Sequence, residues 1–252
     1  YSKLGDMALP SSPAETGRAN RKTVLALKAR AALYAASPLF NPSDDKALWY
    51  RAAKANKELL DDNDGFATKP KLLVSDYDML WSKDSYNDAT SELIFCRRAT
   101  TTTNSFEGYN FPIGLENCKG GNCPTQTLVD AYEMQATGLR PDEMEDYDPT
   151  KPYYEGRDKR FGLTIAKNGD EKWPNWNTVP LQTYQGGLNA EPLSGGTPTG
   201  YYLKKYCQTA VDLRAGTASK TYHSWITFRF GEFYLNYAEA VYKYLGGPDE
   251  TD

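Results

Sequence analysis

The sequence predicts a mainly α protein in which helix pairs of the tetratricopeptide type frame long irregular loops and a few short strands. Three observations predict it. Arg21 to Pro38 and Asp45 to Leu60 are two amphipathic segments joined by a short turn. A second strongly periodic segment runs from Trp225 to Leu245 near the other end. Between them lie long stretches rich in Thr, Asn, Gly and Pro, which helices avoid and loops use.

In the first segment, Thr23, Leu27, Ala31 and Tyr34 form one stripe, and Leu25, Ala29, Ala32 and Ala36 another. Six alanines lie between Ala26 and Ala36. So little side chain lets a second helix approach closely. Ser37-Pro38 ends the helix, because proline lacks an N–H and restricts the residue before it. Ser43-Asp44-Asp45 caps the second helix, which carries Trp49, Ala52, Ala53, Asn56 and Leu60 on one face. Small residues opposite an aromatic follow the logic of a tetratricopeptide pair, though an ordinary αα-hairpin has the same pattern.

In chain order, Tyr1 to Gly17 reads as an entry loop, and Asp61 to Gly65 as a solvated helix end rather than a calcium loop. Asp76 to Trp81 reads as a helical turn, Ser91 to Cys96 as a short strand and Thr100 to Gly121 as a long loop. Thr125 caps a short helix to Met134, and Leu139 to Pro152 is acidic and irregular. Arg157 to Ile165 turns into a strand, and Tyr201 to Tyr206 is another. Trp173 to Pro198 is a loop. Loops this long inside a compact domain are usually functional. In the last helix, Phe230, Phe233, Tyr234, Tyr237, Ala238, Val241, Tyr244 and Leu245 keep i, i+3, i+4 spacing, and Gly246-Gly247-Pro248 stops it. That stripe calls for cover, and the Arg21–Ala36 helix or its partner is the expected neighbour.

The 252 residues carry a net charge of −4, and no basic stripe stands out, which argues against nucleic acid. No apolar run approaches the ~20 residues of a membrane helix. The chain begins at Tyr1 without a signal sequence and reads as an internal or C-terminal fragment of a longer secreted or surface protein.

Five stretches stand out as motifs. They are Ala26-Leu-Lys-Ala-Arg-Ala-Ala-Leu-Tyr-Ala35 with Ser37-Pro-Leu-Phe-Asn41, then Pro124-Thr-Gln-Thr-Leu-Val-Asp-Ala-Tyr-Glu-Met134. Next come Tyr154-Glu-Gly-Arg-Asp-Lys-Arg-Phe161 and Thr199-Gly-Tyr-Tyr-Leu-Lys-Lys-Tyr206. The last is Trp225, Phe228-Arg229, Glu232 and Leu235 to Ala240. Together these stretches resemble the SusD/RagB family of surface glycan-binding lipoproteins, with Lys159 where that family usually has proline, and the resemblance spans nearly the whole chain. It implies one SusD-like domain over 1–252, with a helix pair at 18–60, a loop-rich ligand-binding region at 91–223 and a further helix at 225–245. It also implies an outer-membrane, surface-exposed lipoprotein that hands glycans to a TonB-dependent, SusC-like transporter. Membrane attachment would then come only through a lipid anchor outside this sequence. A peptide-binding subunit of a similar uptake system and a glycan-active enzyme are the alternatives.

Sugar binding needs flat rings that stack on pyranose C–H faces, flanked by polar groups for the hydroxyls. Trp173, Asn175, Trp176 and Asn177 supply both, with Pro174 stiffening the loop. Phe106 and Tyr109, and Tyr184 with Gln185, repeat the composition. Packing against the scaffold competes with that role at every one of these rings, and Trp49, Trp81 and Trp225 read as core. Arg157, Asp158 and Arg160 read as a structural turn whose guanidinium groups brace carbonyls or pair with acids. Glu232 and Glu239 are expected to pair with Arg229 and Lys243. Cys118 and Cys123, with two glycines between them, suggest a small-loop disulfide on a cell surface; Cys96 and Cys207 read as buried apolar groups. No metal set, cofactor fingerprint or catalytic constellation assembles: His223 is the sole histidine, and the acids from Asp142 to Asp148 lie in a polar run. The expectation is binding without turnover and without a cofactor.

Overall fold

The computed structural model describes residues 18–62, 92–98 and 101–247. The entry loop, the turn at Asp76 to Trp81, and Trp81 itself lie outside the described residues. Those described divide into two compact units, one from 18–62, 92–98 and 224–247, the other from 101–223.

The first unit contains α1 (Arg21–Ala36), α2 (Lys46–Asp61), β1 (Leu93–Arg98), β4 (Ser224–Arg229) and α6 (Phe230–Leu245). α1 starts at a reciprocal cap: Asn20 Oδ1 accepts from Thr23 N, and Thr23 Oγ1 accepts from Asn20 N. Of its two stripes, the Leu25–Ala29–Ala36 side is buried with Ala26 and Leu33, while Leu27 and Tyr34 are exposed. Ala29, Ala52 and Asn56 mark a close helix approach, since the fully buried Asn56 amide donates to Ala52 O at 2.9 Å and to Ala29 O at 3.5 Å. Trp49 is buried, with Nε1 donating to Asp44 Oδ1 at 2.7 Å.

α6 packs mainly against α2 and also touches α1, as its stripe requires. Phe230, Phe233 and Ala240 are buried, Tyr237 and Val241 are half-buried, and Tyr234, Tyr244 and Leu245 are exposed. The helix begins at Phe230 rather than Trp225. Ser224 and Phe228 are buried and Thr227 is exposed; the stretch carries β-branched and aromatic residues and pairs antiparallel with β1, so strand pairing takes it. Half-buried Trp225 is therefore a strand residue beside Arg97, not a core helix residue. The expected Glu232–Arg229 ion pair on α6 is also replaced. Glu232 accepts two bonds of 2.6 Å from Arg30 on α1, and Arg229 reaches Glu92 at 2.7 Å. The Arg30 guanidinium also lies over Phe228, 4.2 Å from the ring centre. Gly246, at φ 79°, ends the helix with its N–H on Tyr242 O.

The second unit contains α3 (Ser105–Asn110), α4 (Gln126–Asp130), α5 (Lys159–Thr164), β2 (Ile165–Ala166) and β3 (Tyr202–Leu203). α3 corrects the expectation of an unbroken loop over Thr100 to Gly121, and α5 precedes the strand expected after Arg157. α4 stops at Asp130, short of Met134, because Met134 bonds back to Leu139 O. The core gathers Phe111, Trp173, Leu181, Tyr202 and Val211. Loops, not layers, build it. Gly114 shows why: at φ 87°, a Cβ there would sit 2.0 Å from Leu188 O, so the two loops touch through bare backbone.

Candidate functional site

Three of the motif stretches interlock in the second unit. Thr125 Oγ1 caps α4 by accepting from Leu128 N, and Thr199 Oγ1 donates to Pro124 O at 2.7 Å. Arg157 is 6% exposed; its NH2 donates to Val129 O at 2.9 Å, and its NH1 to Tyr132 O. Asp158 N donates to Glu133 O, Gln135 N donates to Gly156 O, and Asp158 Oδ1 caps α5 through Arg160 N. Arg160 closes on the same carboxylate, and this holds Asp158 below the usual carboxylate range. The structural reading of Arg157, Asp158 and Arg160 is thus what the geometry displays.

From this neck the chain leaves at Gln135 and returns at Gly156, and the excursion walls a cleft of about 370 Å³. Tyr147 and Tyr153 line it as a stacked pair, with ring centres 5.5 Å apart and planes at 24°. Tyr153 sits at φ 45°, a conformation that side chains avoid and that persists only where its surroundings impose it. They do: its hydroxyl accepts from Asp148 N at 2.6 Å and donates to Asp146 O at 3.3 Å. Thr150 donates to Asp148 from both hydroxyl and N–H, holding that carboxyl below its ordinary value. Pro149 and Pro152 stiffen the same stretch.

Polar groups close the cleft. Gln126 Nε2 donates to Asp130 Oδ1 at 2.7 Å. Arg157 lies beside them; burial lowers its pKa, and the charge of Asp130 works the other way. Arg157 Nε is buried without an acceptor among the described residues. Tyr147 is 43% exposed, so one ring of the pair is open to a ligand. Stacked rings beside amide, carboxylate and hydroxyl groups can hold a sugar ring by face and by edge.

The residues expected from sequence do not line this cleft. Trp173 is a correction: at 5% exposure it packs edge-on to Phe111, with ring centres 5.3 Å apart, and has no free face. Asn177 is buried too, donating to Trp173 O. Trp176 is half-buried, its Nε1 on Val211 O at 2.9 Å and Arg214 over its ring. Asn175 is exposed, with its N–H bonded to Thr209 O. Phe106 is half-buried against His223. Tyr109 and Tyr184 are each 57% exposed, with Lys119 over the first and Gln182 accepting from the hydroxyl of the second. Their loops are tied by Asn189 Nδ2 donating to Ile113 O at 2.8 Å.

The cleft tyrosines are masked in the sequence by the acids around them. Their signal is present nonetheless: Tyr147-Asp-Pro-Thr-Lys-Pro-Tyr153 combines rings, prolines and hydrogen-bonding groups as the tryptophan loop does.

His223 is 2% exposed, with Nε2 2.8 Å from the fully buried Glu107. That carboxylate also accepts from Gln208 N at 2.9 Å, a bracing role. Cys118 and Cys123 are free thiols, which corrects the expected disulfide. Each sulfur turns to a different carbonyl, Glu116 O and Gly120 O, because the intervening glycines bond instead to Phe111 O and Tyr109 O. Burial pushes the Cys118 thiol up to about 12. Among the described residues, no cluster of three or more His, Cys, Asp or Glu could hold a metal ion, and no helix is long and apolar enough to cross a membrane.

The profile of the SusD family matches residues 91–251, more than half of the chain. The chain belongs to the SusD family. A SusD-like protein from Bacteroides fragilis NCTC 9343 superposes with a TM-score of 0.66 at 22% identity, over 96% of this chain and 50% of that one. A SusD-like carbohydrate binding protein from the same organism gives 0.64 at 19% identity, over 92% and 42%. A SusD superfamily protein from Parabacteroides distasonis ATCC 8503 gives 0.55 at 23%, over 94% and 42%. The chain spans half, or less, of the length of these solved SusD relatives. At such identities the likeness establishes a SusD-like fold, mainly helical with a few short strands. No curated protein matches the chain.

Proposed function

We propose that the loop-rich unit binds glycans without turning them over, and that the full-length protein does so on the cell surface, passing its ligand to a TonB-dependent transporter in the outer membrane. The observation that carries this is the stacked Tyr147–Tyr153 pair over a cleft walled by Gln126, Asp130 and Arg157. Family membership supports the substrate class, and the carbohydrate binding named for one structural relative agrees with it. The non-catalytic reading is supported by the burial of His223 on Glu107, and by carboxylates that serve as caps and ion-pair partners. Tyr109, Tyr184 and the half-buried Trp176 remain proposed as secondary contacts for a long chain. A peptide-binding role in the same kind of uptake system is the second reading.

A glycan array followed by calorimetry tests this. A stacked ring contributes about 1 kcal/mol beyond burial, close to the ~1.4 kcal/mol of a tenfold change. Tyr147→Ala is therefore expected to weaken binding roughly five- to tenfold, and Tyr147→Phe to retain it. Unchanged affinity in Tyr147→Ala would remove the cleft from the site. New reducing ends after incubation would make the protein an enzyme, and retention of peptides in place of glycans would select the second reading.

A further inference from the structure

The lining of the cleft carries more positive than negative charge, a feature that a neutral sugar does not use. Resting on the glycan-binding reading of this site, we infer that the Tyr147–Tyr153 cleft takes anionic sugars, whose carboxylate or sulfate group meets Lys151.

The charged residues that line the cleft are Lys151 and Arg157 against Asp130, a net charge of +1. Arg157 is 6% exposed, and its NH1 and NH2 donate to the carbonyls of Tyr132 and Val129, which are neutral. Its Nε is buried without an acceptor, so no carboxylate is among its hydrogen-bond partners within the described residues. A buried guanidinium keeps its charge, and its field is screened less than that of a surface group.

Lys151 is the reachable cation. Its side chain is 66% exposed, and its ammonium lies 3.7 Å from Asp148, beyond hydrogen-bonding reach. An exposed pair of that kind contributes little, so a ligand anion competes with it easily. Asp148 Oδ1 is already held by both donors of Thr150, at 2.7 and 2.9 Å. Lys151 N donates to Asp148 O at 3.0 Å, and Pro152 alone separates Lys151 from Tyr153, so the cation is mounted next to the ring pair. The other acids of the excursion, Asp142, Glu143, Glu145, Asp146 and Asp148, do not line the cleft, and Asp142 and Glu143 each lie 3.3 Å from Arg140. Asp130 does line it, with Oδ1 accepting from the Gln126 amide. A pyranose stacked by its face on a tyrosine carries its carboxylate or sulfate at the ring edge, where an ammonium is the fitting contact.

A glycan array of neutral, uronate-bearing and sulfated oligosaccharides, probed with the complete protein, selects the ligand. The highest-ranking anionic oligosaccharide is then titrated beside its neutral counterpart, made by reducing the carboxyl to the alcohol or by removing the sulfate, in low and high salt. The anionic form is expected to bind about three- to fivefold more tightly at low ionic strength, as one exposed ion pair allows, with the advantage fading as salt screens it. Lys151→Gln is expected to bring the ratio of the two affinities close to one, and Lys151→Arg to keep it. Preference for uronate or for sulfate on one backbone identifies the group that is read, and equal binding assigns both; each of these supports the inference. A neutral form that binds as tightly as the anionic one at low salt, or a ratio unmoved in Lys151→Gln, overturns it. If binding in that case still falls in Tyr147→Ala, the glycan reading stands and the charge preference alone falls. If no sugar binds, both fall together.

Discussion

In the helical unit, Ala26, Ala29, Ala52 and Ala55 are buried opposite Trp49, Phe230 and Phe233, and apolar contact sets the distances. In the loop-rich unit, the positions of Val129, Tyr132, Pro124 and Asn189 are set by side chains that reach main-chain carbonyls. The first unit depends on the volume of its side chains and the second on their donors. A cavity should hurt the first most, and a lost donor the second.

The largest effect is expected from Phe233→Ala. A fully buried ring replaced by a methyl group costs about 3–5 kcal/mol, transfer and cavity together. Chemical denaturation followed by circular dichroism would show it, and a loss below about 1 kcal/mol would mean that α6 is not held by this ring. Next comes Arg157→Lys, which keeps the charge but cannot span both carbonyls in one plane. A loss of about 2–3 kcal/mol is expected, since one buried carbonyl is left without its donor. Near-neutral behaviour there would show that volume, not donors, holds the second unit as well.

Smaller is Asp158→Asn, which preserves the cap of α5 and removes the pairing with Arg160. Arg160 is more than half exposed, so the loss should be below about 1 kcal/mol. Its sign with pH is fixed. The folded carboxyl is held low, so the contribution is present above the unfolded carboxylate value and disappears as pH falls through the folded one. Matched denaturation of wild type and variant at neutral and strongly acidic pH should therefore converge at the acid end. Smallest of all is the response to reductant. With Cys118 and Cys123 as free thiols, melting with and without dithiothreitol should agree within about 1 °C, whereas a linked pair would lose several degrees.

The same contrast explains what could be read from the sequence. α1, α2 and α6 carry their burial in the spacing of Leu25, Ala29, Trp49, Ala52 and Phe233, and a period survives without knowledge of the partner. β4 hid inside the periodic stretch because Trp225, Ile226 and Phe228 also satisfy a helical spacing; only pairing with β1 separates the two. In the loop-rich unit there is no period to read. Trp173 and Tyr147 are both ring residues in proline-stiffened loops, yet one is core and the other open, because the difference lies in which carbonyl or ring a distant loop brings up. Arg157 was legible as a brace because a lone guanidinium at a turn must be satisfied nearby; that it also walls a cleft was not.

The neck at Gln135 and Gly156 has a practical consequence. Its bonds, Met134 N to Leu139 O, Gln135 N to Gly156 O and Asp158 N to Glu133 O, are all between main-chain atoms, and the Arg157 clamp grips main-chain oxygens. None of them reads the side chains of the excursion that they close. The stretch from Pro141 to Pro152 is in effect an interchangeable head on a fixed handle. Whatever is spliced into it inherits the same mounting, so the walls of the proposed cleft can be exchanged without rebuilding what holds them.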